Sequence, residues 1–323
     1  GNILEKMKAV VYDKKAKPDK LVYTDVDKPV PEKNEVLIKM VASSVNAADY
    51  RSMRLGIIPK RKIFGADIAG RVESVGENVS RWKPGDEVMA DLGSHGFGGF
   101  AEYAVAPADQ LVLIPKELSY ETAAALPLAG NTALQALRNK GNIQKGQKVL
   151  IVGSGGGVGT FMVQLANYFE AEITAVCSTK NTEQTKTLGA HLVIDYTKED
   201  FTQTDQRYDL IFAVNGNESL LTYRRLLTPG GKYLMVGGAM PQIIKSLLFG
   251  KLLSLGNKKM QTVSAKGNPA DLQFLAQLAA ESKIRAVPDR KYTMDKAAEA
   301  MNYLSQGHAR GKVLILVEEG DKL

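Results

Sequence analysis

The sequence predicts an α/β protein in two parts: a small β-rich domain, then a doubly wound parallel sheet, with a C-terminal tail that returns to the first part. Three observations carry this. Short β-branched runs separated by turn residues fill the first third. Strand and helix patterns then alternate regularly. Residues 312–317 form a last strand-like run after two helical stretches, and the first domain is where it finds partners. The implied boundaries are 1–122, completed by 268–323, for the first domain and 123–267 for the second.

The strand runs of the first third are 7–12, 36–42, 70–75, 87–90 and 100–106. Pro29-Val30-Pro31, Gly76-Glu77-Asn78 and Lys83-Pro84-Gly85-Asp86 supply turn chemistry between them. Many short strands at this spacing form a small barrel or sandwich. Residues 119–137 read as one long Ala- and Leu-rich helical stretch. Strands then follow at 148–153, 173–178, 192–196, 209–214, 232–237 and 260–265, separated by helices at 158–169, 183–188, 220–227 and 243–253. Parallel strands need crossover connections, so this alternation predicts a sheet covered on both faces. The tail holds helices at 270–281 and 295–305. The run 260–265 suits an edge strand able to pair across a two-fold axis, although the pattern alone does not give the oligomeric state.

Composition narrows the class. The 323 residues are 44% hydrophobic and 24% charged, the balance of a soluble globular protein. No apolar run approaches the roughly 20 residues of a membrane span, and residues 1–8 lack the layout of a secretory signal. One cysteine, Cys177, excludes an internal disulfide and a four-thiolate zinc cluster, and points to a reducing, cytoplasmic compartment. The net charge of +7 is spread out; the basic patches at 14–17 and 60–62 are short, so nucleic acid is not an expected partner.

The strongest motif lies between a strand and a helix: Gly153-Ser154-Gly155-Gly156-Gly157-Val158-Gly159. Glycines there allow a tight turn and let a pyrophosphate approach the amides at a helix N-terminus. The spacing Ser154-x-Gly156-x-x-Gly159 has Ser in place of the first glycine of the usual fingerprint. A P-loop would require Lys followed by Ser or Thr after the last glycine; Thr160-Phe161 stand there instead. Dinucleotide binding is therefore expected. At the end of the next strand an NAD-preferring fold places Asp or Glu to hold the ribose hydroxyls. Cys177-Ser178-Thr179-Lys180 offers hydroxyls and an ammonium instead, which suits a 2′-phosphate and predicts NADP(H).

A β-rich first domain followed by this glycine turn resembles the medium-chain dehydrogenase/reductase superfamily. The stretches that carry the resemblance include Ala42-Ser43-Ser44-Val45-Asn46-Ala47-Ala48-Asp49, Gly65-Ala66-Asp67-Ile68-Ala69-Gly70, Lys83-Pro84-Gly85-Asp86-Glu87-Val88 and Gly99-Phe100-Ala101-Glu102-Tyr103. The resemblance implies a GroES-like first domain and a Rossmann second domain. Zinc-dependent relatives place a Cys ligand near Asn46 and a His ligand near Ala66; this chain has neither, and His95, His191 and His308 are scattered. The chain thus looks like the zinc-independent quinone oxidoreductase branch, which implies NADPH-dependent reduction of quinones or activated carbon–carbon double bonds, no zinc, and a homodimer. It also implies that Lys180, displaced by one position, and Tyr196 embrace the 2′-phosphate, and that Thr132 lies by the nicotinamide. Asn215, Gly237 and Gly238, at ends of parallel strands, complete the expected cofactor set.

Hydride chemistry belongs to the nicotinamide, so the protein must place the acceptor and stabilise the charge that develops on its oxygen. Asn46 is the expected hydrogen-bond donor, with a turn amide as the competing reading. Tyr50, one turn on, donates a proton or stacks on a flat acceptor; otherwise it packs in the core. Phe64 and Phe97 are expected to form an apolar wall. Asp49 reads as a helix-start group, and Arg310-Gly311-Lys312 as a solvated hairpin, with an approach to the cofactor cleft as the competing reading. Two rival functions stay open: reduction of simple aldehydes or ketones, for which a zinc-free site lacks a Lewis acid, and a non-enzymatic NADPH-binding or sensor protein.

Overall fold

The structure is a computed structural model that describes residues 4–14, 20–214, 216, 218–236 and 256–318. The expected helix 243–253 lies outside the described residues, as do Asn215, Gly237 and Gly238. In chain order the elements begin with β1 (Lys6–Asp13), β2 (Lys20–Asp27), β3 (Glu35–Val45), α1 (Ala47–Arg54), β4 (Asp67–Val75), β5 (Glu87–Asp91), β6 (Tyr103–Pro107) and β7 (Val112–Leu113). The anticipated long helix is three pieces, α2 (Tyr120–Ala125), α3 (Pro127–Leu134) and a π-helical segment, Gln135–Lys140. Pro127 cannot donate an amide hydrogen, so it ends one helix and opens the next.

The alternating region gives β8 (Lys148–Val152), α4 (Gly157–Tyr168), β9 (Glu172–Cys177), α5 (Thr182–Thr187), β10 (Leu192–Asp195), β11 (Tyr208–Ala213), α6 (Leu220–Arg225), β12 (Leu227–Met235) and β13 (Lys259–Thr262). After helix Pro269–Ala280 come β14 (Pro288–Thr293), helix Ala297–Ser305 and β15 (Lys312–Leu316).

The chain divides into two units, 1–131 with 266–323, and 132–265. The first boundary falls at 131/132, later than the expected 122/123, because α2 packs on β3, β4 and β15. In the first unit β1 and β2 form an antiparallel pair, and the larger sheet runs β14-β15-β3-β4-β5-β7 with β6 also on β3. The tail therefore returns as expected: β15 lies between β14 and β3, with Val313 opposite Val45. Strands β2 and β14 were not legible; both are strongly charged and half exposed, so their alternation is weak.

The second unit holds a six-stranded sheet in the order β10-β9-β8-β11-β12-β13, parallel throughout. This is the doubly wound order that reverses between β8 and β11. Leu150, Val152, Ile211, Tyr223 and Tyr233 belong to its buried core, where the two tyrosine rings stack at 4.6 Å. Burial of such side chains contributes about 1.5–3 kcal/mol each.

Candidate functional site

In the second unit β8 runs into the glycine turn. Gly153 has φ +90°, so the tight turn is made there and Ser154 is free to bury its side chain, its Oγ 3.3 Å from the Val176 carbonyl. The turn is packed from behind: a Cβ at Gly159 would lie 2.3 Å from the Gly153 carbonyl oxygen, and one at Gly155 would lie 2.3 Å from Asn181 Nδ2. At Gly156, the N-cap of α4, a Cβ would meet nothing within 4 Å. Gly157 and Val158 follow as the first residues of that helix. An open residue at a helix N-terminus whose amides lack intrahelical partners fits a pyrophosphate. Asn181 adds a buried side-chain oxygen with no protein partner.

Parallel pairing of β9 with β10 places Asp195 opposite Cys177, which brings Ser178, Thr179 and Lys180 beside Tyr196. Lys180 and Tyr196 are both exposed. The segment Cys177-Ser178-Thr179-Lys180 carries no carboxylate of its own, yet one arrives from the neighbouring strand. Thr179 Oγ1 donates to Asp195 Oδ2 at 2.5 Å, and Thr197 Oγ1 and its amide donate to Oδ1 at 2.6 and 2.9 Å. The Thr179 hydroxyl, followed by those of Thr197, holds the Asp195 carboxyl below the usual range. Thr179 is thus corrected from a phosphate donor to a ligand of Asp195, since its one hydroxyl hydrogen is used. Thr132 is half-buried on α3. Asn131 beside it has neither amide atom bonded to protein and is buried.

In the first unit Asn46 directly follows β3 and is the N-cap residue of α1. Its backbone amide donates to Asp49 Oδ2 at 2.8 Å, and Gly65 N donates to Asp49 Oδ1 at the same distance. Asp49 is thus the helix-start group expected. Burial pushes its carboxyl up to about 7, against the two amide bonds. The Asn46 side chain points into a buried polar cluster. Its Nδ2 donates to Asp67 Oδ2 at 2.8 Å, and Lys312 Nζ donates to its Oδ1 at 2.5 Å. Asp67 also accepts from Ser44 Oγ and from the Leu128 amide, and Lys312 Nζ lies 3.6 Å from it.

Lys312 corrects the solvated-hairpin expectation: its side chain is 3% exposed. Gly311, at φ +144°, passes so close to Val287 that a Cβ would lie 2.1 Å from its carbonyl oxygen. Lys312 follows it into the β15–β3 ladder with its side chain turned inward. No sequence signal short of the strand register could have revealed this.

Tyr50 is half-buried on α1, with the Arg54 guanidinium over its ring at 4.9 Å. It packs on the apolar cluster of Tyr12, Phe64 and Phe100 and is not part of the Asn46 network. Phe64 is corrected from a wall residue to a core residue: it is fully buried, in ring contact with Tyr12 at 5.8 Å and Phe97 at 5.5 Å. Phe97 is partly exposed and takes a left-handed conformation, φ +61°.

Two family models match: "Alcohol dehydrogenase GroES-like domain" over residues 32–116 and "Zinc-binding dehydrogenase" over 188–315. The zinc in the second name does not fit these residues. Asn46 Oδ1 is bonded to an ammonium, which would repel a dication, and no group of three or more His, Cys, Asp or Glu among the described residues is placed to hold a metal. A chloroplast envelope quinone oxidoreductase homolog from Arabidopsis thaliana is 33% identical over 91% of this chain and 93% of its own length. An NADPH-dependent alkenal/one oxidoreductase from the same plant is 31% identical over 98% and 81%. The solved quinone oxidoreductase from Coxiella burnetii superposes with a TM-score of 0.88 at 29% identity, covering 97% of this chain and 100% of that one. The chain belongs to the medium-chain dehydrogenase/reductase superfamily, in its quinone oxidoreductase branch.

Proposed function

We propose that the protein is a zinc-independent, NADPH-dependent oxidoreductase that delivers hydride to a quinone or to the double bond of an enone or enal. The observation that carries this is the Asn46 carboxamide, held between Lys312 and Asp67 where zinc-dependent relatives keep a metal ligand. NADPH, when bound, supplies the hydride. The backbone amides around Gly156 and Gly157 receive its pyrophosphate, supported by the open space at Gly156. Ser178, Lys180 and Tyr196 receive the 2′-phosphate, with Thr132 toward the nicotinamide. Asn215, Gly237 and Gly238 remain part of the proposed cofactor set on sequence grounds. Asn46 donates to the acceptor oxygen as negative charge develops there, in a site where a fixed donor is worth far more than in water. Tyr50 and Phe97 offer flat surface for a conjugated acceptor, and protons come from solvent. Relatives named as an alkenal/one oxidoreductase and a 2-methylene-furan-3-one reductase support this acceptor class.

The buried, single Cys177 supports a cytoplasmic setting. No described helix is long and apolar enough to cross a membrane. Strand β13 is an edge of the described parallel sheet, which supports a homodimer paired along it.

The test is NADPH oxidation against quinones, enones and enals, with simple aldehydes alongside. Quinones or enones are expected to be turned over without added zinc. Turnover of simple aldehydes alone, or tight NADPH binding with no oxidation, overturns the reading. Asn46→Ala is expected to lower kcat about 100-fold.

A further inference from the structure

The antiparallel register of β15 with β3 sets Val313 opposite Val45, so one step outward sets Lys312 opposite Asn46. The backbone on both sides is fixed. The Lys312 amide donates to the Val287 carbonyl at 2.7 Å, and Asn46 opens α1 through its bond to Asp49. The ammonium therefore meets the Asn46 carboxamide in one geometry.

That meeting has a chemical consequence. A carboxamide has an accepting end and a donating end, an ammonium can only donate, and a carboxylate that already receives the Ser44 hydroxyl and the Leu128 amide can only accept. Turning the Asn46 amide over would set its NH₂ against the ammonium and its oxygen against Asp67. Its orientation thus has a single solution. One Nδ2 hydrogen goes to Asp67, and neither contact uses the second. The ammonium also draws electron density from Oδ1, which makes that second N–H a stronger donor. A lysine is a costly way to fill this space, since burying an ion pair is often no better than packing an apolar side chain of the same volume. The facing charged groups are Asp49 from α1, Asp67 from β4 and Asp91 from β5.

We propose that Lys312 is a positioning residue for the reduction: its ammonium fixes and polarises the Asn46 carboxamide so that the free Nδ2 hydrogen is aimed at the acceptor oxygen. This rests on the reading of Asn46 as the donor, and the test separates the two.

Four proteins are compared: the unchanged chain, Lys312→Met, Asn46→Ala and the double variant, each by kcat and KM for the best quinone or enone, NADPH affinity and melting temperature. Lys312→Met is expected to lower kcat about 10- to 100-fold, the range for a misplaced catalytic group, with KM and NADPH affinity within about twofold. In the Asn46→Ala background the same change is expected to alter kcat less than about twofold, because the interaction it removes is already gone. A full loss in both backgrounds, or no loss in either, overturns the role of Lys312. An Asn46→Ala enzyme with full kcat instead overturns the donor reading. A measurement on the unchanged protein needs no variant of the buried pair: hydrogen exchange of ¹⁵N-labelled side-chain amides. The Asn46 NH₂ is expected to exchange at least about tenfold more slowly than that of exposed Asn78. Equal rates overturn the fixed orientation even if Lys312→Met does not fold.

Discussion

Asp67 on β4 is the register partner of Asp91 on β5, so two carboxyl groups stand side by side on neighbouring strands in the interior of the first unit. Like charges directly opposite each other in a sheet are unfavourable. The arrangement persists because Lys312, Asn46, Ser44 and the Leu128 amide converge on Asp67, while Asp91 accepts only from the Gly93 amide among the bonds described at its carboxyl. Burial first, and Asp67 second, push the Asp91 carboxyl up to about 7.

This gives the pH dependence a sign. Asp49 and Asp91 titrate near 7 in the folded chain and near their ordinary value of 3.8 when unfolded. Between those values the folded protein keeps protons that the unfolded chain has released, so raising the pH favours unfolding. Stability is expected to fall from about pH 5 to about pH 7, by at most about 1.4 kcal/mol per pH unit for each group, and then to level off. Urea midpoints across that range check it. Asp91→Asn should flatten the slope, whereas stability that rises through the same window contradicts the assignment.

The glycine turn allows a paired prediction. Gly159→Ala forces a methyl group against the Gly153 carbonyl and should destabilise the protein by about 1–3 kcal/mol, read as a lowered melting temperature. Gly156→Ala places its methyl in open space, so stability should change by less than about 1 kcal/mol. NADPH affinity should nevertheless fall at least about tenfold, because on the proposed reading the methyl stands where the phosphate approaches. Equal NADPH affinity in Gly156→Ala and the unchanged chain would place the pyrophosphate elsewhere.

On the proposed reading, nucleotide choice depends on a balance between Lys180 and Asp195. Lys180→Ala should weaken NADPH about tenfold and leave NADH within about twofold, by fluorescence titration. Asp195→Asn removes a negative charge that touches Thr179 and should tighten NADPH about fivefold, close to 1 kcal/mol. Loss of NADPH affinity in Asp195→Asn would mean that the carboxylate orders the phosphate site rather than opposing it.

Much of the parallel sheet was legible because its strands are short β-branched runs, and the crossover after β8 is written locally: a strand, a glycine turn, a helix. The Gly153–Gly159 turn and Asn46 were readable for the same reason. What escaped depends on register between distant segments. Lys312 looked like a hairpin charge because its neighbours in sequence are Arg310 and Gly311, while its neighbours in space are 266 and 245 residues earlier, Asn46 and Asp67. Asp195 was missed because the relevant strand end is β10 and not β9. Phe64 was read as a wall because a single aromatic beside a glycine does not reveal which face of the chain is covered.

The place of β15 between β14 and β3 gives synthesis an order. A ribosome releases residues 132–265 whole before it has made the strand that fills the gap in the older unit. A nascent chain can therefore complete its nucleotide-binding half while Asp67 still lacks its counter-ion. A chain that stops before Lys312 would keep its glycine turn and lose the strand that holds the Asn46 carboxamide, so premature termination would part the two halves of the molecule in order as well as in time.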